Sequence, residues 1–364
     1  MADSTPLTVS PAPHVGGLIS SARLNWSLAL SLLPASAWGV FLFGFPALQV
    51  LAVAAATALV ADAAASLAWG RAVLRDGSAA VTGLLIGMLM PPAVPLYVPA
   101  AASAFGIIVV KQSFGGLGRN WMNPALGGVV FALFSWADAA TRWLPARGTP
   151  AGTAAAPLAA LRSALAGGAQ PTGGVLSALG ARGYPWSSLD GRVVSWVNVH
   201  VLSAVGLSLP GGVFDLLVGN IPGRIGDVSV PLLMLGAAFL LARRVIRWQV
   251  PVAYLASFLV AAQVFGGLPM GRGWFAGAAL FQLFCGSVVL GAFFMATDPV
   301  TSPLTRGGRV AYGICLGLLT FLLRYFGTPG FGVPLAILLG NCISPLLDKI
   351  ARPRAASPRK AVVQ

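Results

Sequence analysis

The chain has 364 residues, of which 57% are hydrophobic and only 9% are charged. A soluble domain carries about 25% charged residues, so this composition excludes an ordinary water-exposed protein and predicts that lipid is its main solvent. The formal net charge of +14 would suggest nucleic acid in a soluble protein, but here the cations lie at the ends of apolar runs, as in membrane proteins, and no nucleic-acid partner is expected.

The N-terminal segment, 1–26, is predicted to be cytoplasmic. Its first residues are polar and rich in proline, and they show no basic stretch followed by an apolar one. A cleaved signal peptide is therefore not expected.

A first membrane region is predicted at 27–137. Residues 79–90 form a short apolar run before Pro91 and Pro92, too short to span and typical of a re-entrant half-helix. The longer apolar runs of this region, which we predict to be helices, are 27–44, 48–69, 96–110 and 124–136.

The stretch 138–194 breaks the apolar pattern, since it is rich in Gly, Ala, Pro and Ser and carries several arginines. We predict an extramembrane loop there, then a second membrane region at 195–348 and a basic cytoplasmic tail at 349–364. The apolar runs of the second region are 195–218, 230–242, 252–265, 276–296, 310–323 and 333–347.

A weak internal repeat links the two regions. The stretch 83–95 aligns without gaps to 291–303, with a Gly and two Pro in common, and the spacing of Asn120 and Pro124 recurs in Asn341 and Pro345. Short helices interrupted by Pro in both halves of a chain are typical of inverted-repeat membrane folds, whose binding sites lie near the midplane.

Two aspartates stand out because a carboxylate in a membrane helix is costly and rarely idle. Asp298 follows an apolar run in the sequence ATDPVT, beside Thr297; it could anchor a cofactor or ion, or cap the next segment. Asp62 lies in the second apolar run; it could line an ion path, or sit near the interface with Arg71 or Arg75 as partner.

A glycine-rich loop, SFGGLGRNWMNP, precedes the helix predicted at 124–136. Gly116 and Gly118 allow sharp turns and close approach to a ligand, and Asn120 and Asn123 each offer an amide donor and acceptor. The pattern suits the polar edge of a flavin ring, but a tight turn capped by asparagines would give the same sequence pattern.

Other polar residues are less informative. Asp227 follows a turn and precedes a helix, so we predict a helix cap. The three cysteines lack the spacing of zinc or iron–sulfur ligands, and no metal site is predicted.

The motifs together resemble one family. The stretches RDGSAAVTGLLIGMLMPP, VVKQSFGGLGRNWMNPALGG, GNIPGRIGDVS and GAFFMATDPVTSPLTRGGRVAYG are similar to those of RnfD, a membrane protein of the Rnf electron-transport complex, and more distantly to those of NqrB, its counterpart in the sodium-pumping NADH:quinone reductase. The resemblance covers nearly the whole chain.

This resemblance implies an all-α polytopic membrane protein with about ten transmembrane or re-entrant helices in two inverted repeats, similar to urea channels. It implies a bacterial inner-membrane component of a redox-driven translocase for Na⁺ or H⁺, with membrane, iron–sulfur and flavin subunits as partners. By similarity, Asn120, Asn123 and Asp298 would lie near a non-covalent flavin, riboflavin or FMN.

The sequence departs from the family at one position. The family attaches FMN to a Thr in the long loop, and the matching position here is Ala156, which cannot form a phosphoester; Thr153, three residues away, is a poor substitute. Covalent FMN is therefore not expected. A channel, transporter or scaffold subunit on the same fold without redox activity stays open as the alternative function.

Overall fold

The computed structural model describes residues 20–70, 76–147, 184–185, 187–206, 209–270, 273–327 and 330–351. Every regular element among these residues is a helix. The helices are α1 (Ser21–Phe43), α2 (Phe45–Ala68), α3 (Ser78–Met88), α4 (Tyr97–Phe105), α5 (Pro124–Ser135), α6 (Ser188–Val197), α7 (Val213–Val218), α8 (Val230–Ala242), α9 (Gln249–Val264), α10 (Ala279–Phe284), α11 (Val288–Leu290), α12 (Arg306–Phe326) and α13 (Gly332–Ala351). Helices α4, α6 and α11 continue as π-helical segments Gly106–Gln112, Asn198–Leu202 and Gly291–Met295.

Four of these helices, α1, α2, α12 and α13, are long and apolar enough to cross a bilayer. The exposed surface of helix α12 is typical of a helix that faces lipid. Its exposed face carries apolar side chains at intervals of one helical turn, while the opposite face is buried against the protein. The exposed apolar residues of this face are Val310, Ile314, Leu318, Leu322 and Phe326. The prediction of an all-α polytopic membrane protein is confirmed.

The two halves of the chain share an order of elements. In each half, a pair of helices leads to a short helix: α1 and α2 precede α3, and α8 and α9 precede α11. Each short helix begins within two residues of a glycine in the left-handed region, Gly77 or Gly286, both with φ of 74°. The short helix ends before the first matched proline, Pro91 or Pro299, and two further helices follow. This common order agrees with the repeat predicted from the sequence.

The short helix α3 matches its prediction, but the continuous span predicted at 276–296 is wrong. The chain breaks between α10 and α11, where Cys285 is extended and Gly286 follows. The buried guanidinium of Arg324 donates to the carbonyl oxygens of Gln282 and Cys285, so the backbone groups freed by the break have a partner.

Contacts between the halves hold the C-terminal end of α3. The backbone N–H of Ile225 donates to Met90 O at 3.2 Å, and that of Gly226 donates to Met88 O at 2.7 Å. A Cβ on Gly226 would lie 2.7 Å from the Cβ of Met88, so only glycine fits this approach. Helices α1 and α8, and α5 and α13, also pack across the halves.

One capping arrangement differs from expectation. Asp227 does not cap α8: the N-cap is Ser229, whose hydroxyl accepts from Leu232 N, while Asp227 is buried beside Arg224. The predicted loop boundary at 194 falls inside α6. Here Asp190 accepts from three backbone N–H groups at the start of α7, and Asp215 of α7 accepts from both N and Oγ of Ser187, the N-cap of α6.

Candidate functional site

A cavity of about 440 Å³ lies between the two halves. Apolar side chains such as Leu28, Leu85 and Phe294 form much of its wall. The predicted site residues that line the cavity are Gly118, Asn120, Asn123, Thr297 and Asp298. The structure therefore brings five of the predicted site residues, from both halves of the chain, to one cavity.

Asn123 is fixed by the helix that it begins. As N-cap of α5, its Oδ1 accepts from Ala125 N at 3.0 Å and Leu126 N at 3.3 Å, and Pro124 occupies the first turn, where a missing N–H costs little. Its Nδ2 is thereby turned toward Asp298 Oδ2, at 3.4 Å. Its backbone N–H donates to Asn341 Oδ1 at 3.1 Å, in the amide orientation that satisfies the neighbours of Asn341.

Asp298 closes a turn at the end of the second short helix. Its Oδ1 accepts from Val300 N at 3.1 Å, and its Oδ2 accepts from the hydroxyl of Thr301 at 3.3 Å. Asp298 thus closes a backbone turn rather than capping a helix, since no helix follows directly and the N-cap of α12 is Thr305. The same carboxylate lines the cavity, so it also remains a candidate cofactor anchor.

Asn120 and Thr297 contribute further polar atoms to the cavity wall. Asn120 donates from Nδ2 to Met122 O at 2.9 Å, and none of the described residues donates to its Oδ1. The hydroxyl of Thr297 donates to Phe293 O at 2.6 Å and keeps its acceptor lone pairs. Both residues can therefore offer acceptors to a ligand.

The glycines of the loop have separate roles. Gly118, with φ of 87°, lines the cavity, and no other atom lies within 4 Å of where its Cβ would be. Gly116, with φ of 93°, is not part of the cavity wall; its N–H donates to Lys111 O at 3.0 Å and closes the turn after the π-helical segment. Both need the left-handed backbone region, which favours glycine.

Asp62 does not reach the cavity, but its partner does. Its Oδ1 accepts from Lys111 Nζ at 2.8 Å and from Gln112 Nε2 at 2.6 Å, with Lys111 only 2% exposed. Arg71 and Arg75, the partners considered from the sequence, lie outside the described residues. Lys111 itself lines the cavity and separates it from Asp62.

The polar contacts continue from Lys111 along the cavity wall. Lys111 Nζ donates to Ser78 Oγ at 2.7 Å, and Ser78 Oγ donates to Asp76 Oδ1 at 2.7 Å. Asn25 of α1 donates to Asp76 O at 3.1 Å and lines the same cavity. We call Asp62, Lys111, Ser78 and Asp76 the Asp76 cluster.

The sequence did not identify Lys111 or Asp76 as site residues. Lys111 ends an apolar run, where Lys normally marks the membrane interface. Only its inclusion in a motif shared with the resembled family, VVKQSFGG, pointed to it. Asp76 stands between a charged residue and a glycine, which is the composition of an ordinary turn.

The cavity has the size and the lining that are usual for a small-molecule site. Its volume is within the range of about 300–1,000 Å³ for small-molecule sites, and apolar walls with a few converging polar groups are their usual composition. The residues that would hold the polar edge of a flavin are Asn120, Asn123 and Asp298. Ala156 and Thr153, which concern covalent attachment, lie outside the described residues.

Comparison with known proteins identifies the family. Residues 8–357 match the model of the NQR2, RnfD, RnfE family. The D-subunit of a proton-translocating ferredoxin:NAD⁺ oxidoreductase complex from Clostridium ljungdahlii is 35% identical over 95% of this chain and 95% of its own length. The D-subunit of an ion-translocating oxidoreductase complex from Stutzerimonas stutzeri is 36% identical over 92% and 91%.

A third relative, the D-subunit of a Na⁺-translocating ferredoxin:NAD⁺ oxidoreductase complex from Acetobacterium woodii, is 31% identical over 96% of this chain and 94% of its own length. The first of the three names gives a proton as the translocated ion, the third gives Na⁺, and the second gives no particular ion. The chain belongs to the NQR2, RnfD, RnfE family.

Proposed function

We propose that this chain is the membrane subunit of an ion-translocating electron-transport complex and that it holds a non-covalent flavin, riboflavin or FMN, in the cavity between its halves. The single observation that carries the proposal is the meeting of Asn120 and Asn123 from the first half with Asp298 from the second at one largely apolar cavity. The names of the relatives support the same kind of complex.

The residues of the cavity would bind and orient the ring. Asn120 offers its Oδ1 and Asp298 its carboxylate as acceptors, while the apolar wall excludes water from the ring faces. When bound, a flavin supplies one- and two-electron transfer, and the protein positions and tunes it. The ammonium of Lys111, at the cavity wall, would stabilise negative charge on the bound group.

The coupling of redox state to transport would use the contact between the halves. Because Asn123 and Asp298 join α5 to the second short helix, a change of charge in the cavity acts on both halves at once. Such a change can bias a gating or rocking motion of one half against the other.

The setting of the chain follows from the same proposal. Its partners would be the other membrane, iron–sulfur and flavin subunits of the complex, within the lipid bilayer of a bacterial inner membrane. Both termini would be cytoplasmic, with the arginines after α8 on the same side.

The test is the absorbance spectrum and flavin stoichiometry of the purified chain. We expect a band near ~450 nm that is released by denaturation, since flavins absorb there and supply the redox chemistry of such subunits. Asp298→Ala should lose most of the bound flavin. Asp138→Ala changes an exposed aspartate that is distant from Asp298 in the sequence, and it should retain the flavin. Wild-type protein without flavin would contradict the cofactor assignment.

Attachment is tested separately. After expression with a flavin transferase, a denaturing gel viewed under ultraviolet light should show no fluorescent band for this chain, because Ala156 has no hydroxyl. A band would contradict this expectation, and its loss in Thr153→Ala would assign the attachment to Thr153.

A second function is favoured by one observation, the Ala at position 156. Without the attached FMN, an electron path through this subunit has one carrier fewer, and the scaffold could act as a channel or transporter without redox activity. Ion flux through the reconstituted chain without flavin or an electron donor would support this alternative.

A further inference from the structure

The Asp76 cluster buries more negative than positive charge. Asp62 is 4% exposed, Asp76 is 7% exposed and Lys111 is 2% exposed, so two carboxylates share one ammonium. Buried charge is costly unless it is paired, because it has left the solvation of water. Among the residues that the structure describes, the cluster is thus one positive charge short of balance.

The ammonium is committed to Asp62. Lys111 Nζ donates to Asp62 Oδ1 at 2.8 Å and to the uncharged Ser78 Oγ at 2.7 Å, and its only ion pair with a described residue is with Asp62. Asp76 is linked to Lys111 only through the hydroxyl of Ser78. Its charge is therefore not neutralised by direct contact with Lys111.

One oxygen of Asp76 has no hydrogen-bond partner in the part of the chain that the structure describes. Oδ1 accepts from Ser78 N at 3.0 Å and Ser78 Oγ at 2.7 Å, but Oδ2 is buried and no described residue donates to it. A buried carboxylate oxygen without a donor has lost its hydrogen bonds to water and has gained none from the protein. Such an atom is a ready ligand for a cation with a preference for oxygen.

The elements packed around Asp76 offer no other cation among the described residues. The helices against α3 are α1, α2, α4 and α5. The charged residues that they and the π-helical segment after α4 carry are Arg23, which is exposed at the start of α1, Asp62 and Lys111. Helix α5 carries none.

We propose that Asp76 Oδ2 binds one sodium ion beside the cavity between the halves. The site lies directly behind the cavity wall. Ser78 and Lys111 belong to the Asp76 cluster and also line the cavity, and Asn25 lines the cavity and donates to the backbone oxygen of Asp76. Negative charge placed in the cavity strengthens cation binding there through Coulomb attraction. The binding of this cation does not depend on the proposed function. Only the further step of taking it as the transported ion rests on that function.

The test is the melting temperature of the purified full-length chain in detergent. A cation bound by the folded state alone raises its stability. For sodium, the wild type should melt higher in NaCl than in choline chloride at equal ionic strength.

Two variants decide the result. Asp76→Asn should lose the response to sodium, whereas Asp138→Asn, at an exposed aspartate, should keep it. Equal responses of the wild type and Asp76→Asn to sodium would overturn the proposal and assign the unpartnered oxygen to water.

A further variant covers the case in which Asp76→Asn fails to fold. Asp62→Asn removes the surplus negative charge without altering the contacts of Asp76, so it should also lose the cation response; a retained response overturns the charge argument. The measurement needs neither flavin nor electron transfer. A chain that binds the cation but no flavin would contradict the proposed function alone, and the reverse result would contradict this site alone.

Discussion

The side-chain amide of Asn123 joins the two halves of the chain, since its Nδ2 lies 3.4 Å from Oδ2 of Asp298. The orientation of this amide is set by α5, because its Oδ1 accepts from two backbone N–H groups at the helix start. Capping and contact across the halves therefore depend on one rigid group. Both residues line the cavity that we assign to a flavin.

Substitutions of Asn123 should separate its two roles. Asn123→Ser keeps an N-cap oxygen but cannot reach Asp298, so we expect little loss of stability but reduced flavin content. Asn123→Asp also keeps the cap, yet it places a second carboxylate against Asp298 and should lower the melting temperature further. Thermal melting and flavin absorbance measure the two effects.

A matched control is Ser229→Ala, which removes the N-cap of α8 away from the cavity. Its expected cost is about 1 kcal/mol, with normal flavin content. If Ser229→Ala also lost flavin, the effect of Asn123 substitutions would reflect general instability.

Substitutions in the Asp76 cluster should be unequal. Lys111→Met leaves two buried carboxylates without an ammonium and should cost about 3–5 kcal/mol, the range for an uncompensated buried charge. Asp62→Asn leaves Lys111 to balance Asp76 and should cost less. Chemical denaturation in detergent measures both free energies of unfolding, and equal costs would contradict the surplus of negative charge in the cluster.

Much of the helical framework was predictable because apolar runs bounded by Gly, Pro and Arg are local signals. Helix α8 has the bounds predicted, and α3 was expected as a short helix before Pro91. The break at Gly286 was missed because the run 276–296 is largely apolar and contains no Pro. What stabilises the break is Arg324, some 39 residues from Cys285, and a sequence pattern does not reveal such a contact.

The candidate site was predictable in part for the same reason. Asn120, Asn123 and Asp298 are polar residues beside apolar runs, so their cost in lipid marks them. The burial of Lys111 depends on Asp62, 49 residues earlier in the chain, and a lysine at the end of a helix otherwise looks like an interface residue. Local sequence gives the cost of a buried charge but not its partner.

Close packing of α12 on α9 should make Gly317 sensitive to substitution. A Cβ at Gly317 would lie 2.6 Å from Tyr254 O and 2.8 Å from Phe258 N, both backbone atoms that cannot rotate away. Small residues four apart, here Gly313 and Gly317, permit such approach of membrane helices.

We therefore expect Gly317→Ala to lower the melting temperature, although Ala favours helices by about 1 kcal/mol over Gly. Gly191→Ala on α6 is the matched control, because no atom of the described residues outside its own helix backbone and chain neighbours lies within 4 Å of its Cβ position. It should be neutral or stabilising. A neutral Gly317→Ala would show that α9 and α12 can separate at little cost.

Arg324 should hold the break between α10 and α11 closed. Its guanidinium donates to the carbonyl oxygens of Gln282 and Cys285, and the side chain is 6% exposed. Arg324→Ala leaves these carbonyls without that donor in a buried place, at a cost of about 1–3 kcal/mol for each unsatisfied group. Local opening should then expose Cys285, which is 1% exposed in the folded chain.

Maleimide labelling measures this opening directly. In a background with Cys315→Ala and Cys342→Ala, Cys285 should label slowly beside Arg324 and many times faster in Arg324→Ala. Arg324→Lys is the informative comparison, because an ammonium keeps the charge but lacks the planar fork that serves two carbonyls at once. We expect intermediate labelling for Arg324→Lys; labelling as slow as with Arg324 would mean that charge alone, rather than paired hydrogen bonds, keeps the break closed.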